Sequence, residues 1–74
     1  MTKENLDIRG EICPMTVMEA LQKVKEMNPG DTLIILSDDP TAAISIPVEM
    51  KRRGHIVEKK QLESNECEIT VEIK

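Results

Sequence analysis

Apolar residues in this chain fall in short runs separated by Gly, Pro and acidic residues, and the period changes from run to run. Leu6 and Ile8 alternate with Asp7 and Arg9, a period of two that predicts a strand ending at Gly10. Val17, Leu21, Val24 and Met27 then step by four, three and three, one apolar face of a helix. Pro14 suits the first position of that helix, where its missing N–H would have had no partner. Asn28-Pro29-Gly30-Asp31 stops it.

Leu33-Ile34-Ile35-Leu36 is an unbroken aliphatic run, as expected of a strand buried on both faces or nearly so. Asp38-Asp39-Pro40 starts a second helix with an acidic cap followed by Pro. That helix is expected to end at Arg53, where Lys51, Arg52 and Arg53 complement the negative end of its dipole and Gly54 closes it. Pro47 removes a backbone donor inside this span. The expectation is a short turn over 41–45 and a main helix from about Ile46.

His55 to Leu62 and Cys67 to Ile73 read as the last two strands, joined by a hairpin at Glu63-Ser64-Asn65-Glu66. Cys67, Ile69, Val71 and Ile73 alternate with Glu68, Thr70, Glu72 and Lys74, so one sheet face is packed and the other solvated.

The order β-α-β-α-β-β predicts an α/β two-layer sandwich: a four-stranded mixed sheet with both helices on one face. Right-handed crossovers make the first three strands parallel. Both helices then begin beyond the carboxyl ends of the first two strands. Cys13 and Asp38-Asp39-Pro40-Thr41 share that edge, where open α/β sheets place ligands. Lys51-Arg52-Arg53 falls near the opposite edge. No linker or repeat divides residues 1–74, which read as a single domain. At this size folding hides only about 60% of the unfolded surface, so the core is thin.

Composition narrows the function classes. The chain has no Phe, Tyr or Trp and a net charge of −4. Single-stranded nucleic acid is gripped by stacking on aromatic rings, and duplexes by clustered cations, so no direct nucleic-acid partner is expected. No apolar stretch reaches membrane-spanning length, and no membrane partner is expected. With two cysteines and no apolar leader, a reducing, cytoplasmic location is the expectation.

Cys13 is the candidate for chemistry. At or beside the cap of the first helix, a thiolate meets unpaired N–H groups and the positive end of the dipole, both of which lower a thiol pKa. Pro14 prearranges the turn, Arg9 adds positive charge, and Glu11 opposes it. The alternative is a small apolar cap residue. Cys67 shares the packed face with Ile69 and Val71 and reads as structural. His55, after Gly54, is either a general base or a strand-edge ring with its bonds satisfied. No metal-ligand spacing and no cofactor motif is present. Met15, Met18, Met27 and Met50 read as core filler, with Met15 and Met18 also a soft docking surface near the thiol.

Asp7-Ile8-Arg9-Gly10-Glu11-Ile12-Cys13-Pro14 resembles the opening signature of the TusA family of sulfur carriers, also called SirA-like. The resemblance continues through Pro29-Gly30, Asp38-Asp39-Pro40, Ile46-Pro47 and Gly54-His55, and so covers essentially the whole chain. It implies the βαβαββ fold and a persulfide carried on Cys13, the one residue that matches the acceptor position; Arg9, Gly10, Pro14 and Thr16 are the residues expected to support the site. It also implies a cysteine desulfurase or other donor protein and a downstream acceptor, in tRNA thiolation or other sulfur metabolism. The family pattern is usually Cys-Pro-x-Pro, whereas this chain has Cys13-Pro14-Met15-Thr16. Thr16 brings a backbone N–H and a hydroxyl to a place where Pro would bring neither, and is expected to help hold the sulfur. The competing function is a regulatory or interaction module in which Cys13 is structural.

Overall fold

The computed structural model describes residues 2–12, 15–63 and 65–74. Six elements follow in the expected order: β1 (Lys3–Asp7), α1 (Met15–Lys25), β2 (Thr32–Ser37), α2 (Pro40–Arg52), β3 (Ile56–Gln61) and β4 (Cys67–Glu72). The sheet order is β1-β2-β4-β3. β1 pairs parallel to β2, while β4 runs antiparallel to both β2 and β3. The first three strands therefore point the same way, and the hairpin strand β4 slots between β2 and β3.

Period-two alternation sorts each strand into two faces. On the helix side, Leu33 and Ile35 of β2 lie opposite Val71 and Ile69 of β4. These side chains join Ala20, Val24, Ala42, Ile46 and Met50 from the helices in a single core. Ile34 and Leu36 face the other way and are only half-buried, so the aliphatic run is packed on one face rather than two. Cross-strand neighbours cover them in part, because β2 is an interior strand, but among the described residues no second layer covers that face.

The core face of α1 is Thr16, Ala20 and Val24, flanked by half-buried Val17 and Leu21. Met27, just beyond the helix, and Met50 are core residues as expected, whereas Met15 and Met18 are more than half exposed and do not fill the core.

α2 corrects the expectation at Pro47: it is one continuous helix, without a separate turn over 41–45. Proline cannot donate to the carbonyl four residues back, which belongs to Ala43. The Lys59 ammonium, from the neighbouring strand β3, donates to that carbonyl at 3.3 Å and replaces the missing bond. Asp39 caps the start, its carboxylate accepting from Thr41 N at 3.1 Å, with Pro40 next. At the other end Gly54 N–H bonds the Lys51 carbonyl and His55 N–H the Met50 carbonyl, a Schellman closure. Gly54 has a φ of 89°, which a residue with a Cβ adopts only with strain.

Candidate functional site

The β1–α1 and β2–α2 loops meet at one edge of the sheet, as the topology requires. Ile8 N–H extends the β1 pairing to the Leu36 carbonyl at 2.9 Å. Gly10 then turns with a φ of 87°, and its N–H donates to Asp38 Oδ1 at 3.0 Å. This bond ties the first loop to the second. Glu11 N–H returns to the Ile8 carbonyl at 3.2 Å, and Ile12 offers its carbonyl to Met15 N at 3.0 Å and to Thr16 N at 3.4 Å. Cys13 and Pro14 lie outside the described residues. What is described is the frame on either side of them, the Gly10 turn and the first turn of α1.

Arg9 sits near this frame but does not face it with a free charge. Its guanidinium bonds both carboxylate oxygens of Asp7, at 3.0 and 2.9 Å, and reaches Glu66 at 3.6 Å. The hydrogen bonds from Arg9 hold the Asp7 carboxyl below its ordinary value. The expected positive contribution from Arg9 is thus largely neutralised by two carboxylates. Glu11 meets Glu19: their side-chain hydrogen bond, partial desolvation and the second negative charge push the Glu11 carboxyl above its ordinary value.

Thr16 is 0% exposed, and its hydroxyl has no hydrogen-bond partner among the described residues. Its backbone N–H, proposed from the sequence as a donor to sulfur, is engaged by the long bond to Ile12. Sequence reasoning named Thr16 but did not see that it points into the core. Ile12, Met15 and Met18 are exposed around the same loop. Met15 and Met18 line a groove of about 400 Å³ with Leu6 and Glu19.

The other candidates separate cleanly. Cys67 opens β4, in register with Ser37 and Gln61, and so lies at the site end of the sheet. It is a free thiol, 2% exposed, and burial pushes its pKa up, which keeps it neutral and structural. His55 stands at the opposite edge, where its Nδ1 accepts from Lys74 N at 3.1 Å. It is the satisfied strand-edge ring, too far along the sheet to serve the loops. Among the described residues no group of three His, Cys, Asp or Glu side chains could hold a metal. Nor, among the described residues, is any helix long and apolar enough to cross a membrane.

The profile of the family described as Sulfurtransferase TusA matches residues 4–73. The chain belongs to the TusA family. Its relatives agree. A sulfur carrier protein TusA of Buchnera aphidicola is 42% identical over 57 residues, 74% of this chain and 72% of that one. A candidate sulfur carrier protein of Thermotoga maritima is 32% identical over 72 residues, 96% of this chain and 91% of the relative. A further candidate carrier, from Archaeoglobus fulgidus, is 41% identical over 54 residues, 73% of this chain but 61% of the relative's length. In three dimensions the chain is similar to the SirA-like protein of Desulfitobacterium hafniense. The TM-score is 0.83 at 19% identity, over 92% of this chain and 93% of the other. At that identity the likeness speaks for the fold.

Proposed function

We propose that this protein is a persulfide relay in which Cys13 accepts a sulfane sulfur and passes it to a second protein. The observation that carries the reading is the family match across residues 4–73, which brackets Cys13. The buried Cys67, with its raised pKa, supports it by leaving one thiol for the chemistry.

In the loading step the Cys13 thiolate attacks the terminal sulfur of a donor persulfide. The S–S bond of the donor breaks, its electron pair leaves on the donor cysteine as a thiolate, and Cys13 becomes the persulfide. Unloading repeats the exchange toward an acceptor thiolate, so no net oxidant is needed. The donor is a cysteine desulfurase or another persulfide-bearing protein, in a cytoplasm that keeps thiols reduced. Delivery runs toward tRNA thiolation or another sulfur-requiring synthesis. The free hydroxyl of Thr16, one helical turn from Cys13 in sequence, is the donor we assign to the sulfur.

Intact mass spectrometry after incubation with a cysteine desulfurase and cysteine tests the reading. One added sulfur is expected, absent in Cys13→Ser and retained in Cys67→Ser. Loading that persists in Cys13→Ser, or none in the native protein with either the desulfurase or inorganic polysulfide, overturns it in favour of an interaction module.

A further inference from the structure

We infer that the groove between α2 and β3 is a second docking surface, which takes an extended, carboxylate-bearing segment of a partner protein as a strand added to β3. β3 is the terminal strand of the sheet and pairs with β4 alone, so its outer edge is open for main-chain bonding. Beside that edge lies a groove of about 270 Å³. Its apolar lining is Ala43, Ile44, Pro47, Val48 and Val57, and its polar lining is Lys51 and Lys59. Ile44 is 65% exposed and Val48 53%, four residues apart on the outer face of α2. Large aliphatic side chains aligned this way along a groove are a surface waiting for apolar contact.

Charge selects the occupant. The molecule carries a net charge of −4, yet the polar lining of this groove consists of two lysines and no carboxylate. The basic run Lys51-Arg52-Arg53 divides here: Glu49 engages Arg52 at 3.4 Å and Arg53 at 3.3 Å, while Lys51 lines the groove. Lys59 is held in place by its bond to the Ala43 carbonyl, left open by Pro47, and its ammonium has further donors to offer. A strand sends alternate side chains to opposite faces. A segment whose every second residue is apolar or acidic therefore sets both kinds on the groove side, the apolar ones against Ile44, Val48 and Val57 and the carboxylate on the lysines. The groove lies on the α2–β3 side, and none of its lining residues belongs to the β1–α1 loop. A partner seated in it leaves the thiol edge free for a second protein.

Lysines on an edge strand can also serve only to repel strand addition, and the experiment separates the two roles. Uniformly ¹⁵N-labelled protein is titrated with the peptides acetyl-TVTETVT-amide and acetyl-TVTKTVT-amide, which carry their valines and central charge on one strand face, while amide shifts are followed. Saturable shifts confined to residues 43–51 and 56–61 are expected with the acidic peptide and none with the basic one. Affinity should fall about tenfold in Lys51→Glu and in Val48→Asp, both exposed positions whose variants keep the native spectrum elsewhere. No saturable shift with the acidic peptide, equal shifts with both peptides, or binding indifferent to both substitutions overturns the inference. Sulfur loading of Cys13 from polysulfide should be unchanged in Lys51→Glu, so the docking claim and the relay claim fail independently.

Discussion

At Thr16 a hydroxyl is buried in the core face of a helix without a partner among the described residues. Leaving such a group unbonded costs about 1–3 kcal/mol, whereas an apolar isostere is close to neutral. Thr16→Val should therefore raise stability by about 1 kcal/mol, read as a higher urea midpoint at unchanged slope. The same variant should load sulfur more slowly, with a raised Cys13 pKa. Slower loading with no loss of stability is the signature of a group kept for function. A variant that loses stability and loads normally would return Thr16 to a packing role. Asp31 is the complementary case, a nearly buried carboxylate that accepts Thr2 N at 2.8 Å and Asn28 N at 2.9 Å. Those hydrogen bonds, Asn28's first, hold its pKa below the ordinary value. The stability it contributes is present above the unfolded carboxyl value of about 4 and is lost as pH falls through the lower folded value. Asp31→Ala should then lower the thermal midpoint at pH 7. The gap to the native protein should narrow steadily as the pH is taken down below about 4.

Among the elements, α2 shows how a long-range contact overrides a local rule. Pro47 is a helix breaker by its own chemistry. The carbonyl it strands is met by Lys59, sixteen residues later in the chain. The two positions should be coupled. Lys59→Met is expected to cost about 0.5–1 kcal/mol in the native background. It should cost close to nothing in Pro47→Ala, where the new N–H takes the Ala43 carbonyl. A double-mutant cycle by chemical denaturation measures the difference. The same contact explains what was illegible in the sequence at this point, because no window around Pro47 contains its rescuer. α1 misleads differently. Large apolar side chains set the phase of a hydrophobic pattern, so Met15 and Met18 read as core filler. The buried face is instead centred on Thr16 and Ala20, small residues that carry little apolar signal. The strands read well, since alternation in Cys67–Glu72 maps directly onto the buried face.

For the whole molecule, the β-α-β-α-β-β order was enough to deduce the layers and to put both loops at one edge. It could not show what joins those loops. The Gly10–Asp38 bond spans 28 residues and couples two turns whose partnership depends on the closed sheet. Nor could it show that Arg9 is engaged by Asp7 and Glu66, the latter from the hairpin that enters β4. Asp38→Ala should release the first loop while leaving the sheet intact. In hydrogen exchange the Gly10 amide should lose protection by about an order of magnitude, with the amides of Ile35 and Ile69 unchanged. Loss of protection across the sheet would mean that the bond supports the fold as a whole and not the loop alone.

The burial of Cys67 has a practical consequence for measuring such openings. A thiol that is 2% exposed at the site end of the packed layer reacts with an alkylating reagent only when that end of the sandwich opens. Its modification rate is therefore a clock for opening of that end of the core, read residue-specifically by mass. In a chain without tryptophan or tyrosine it supplies the intrinsic probe that fluorescence would otherwise provide.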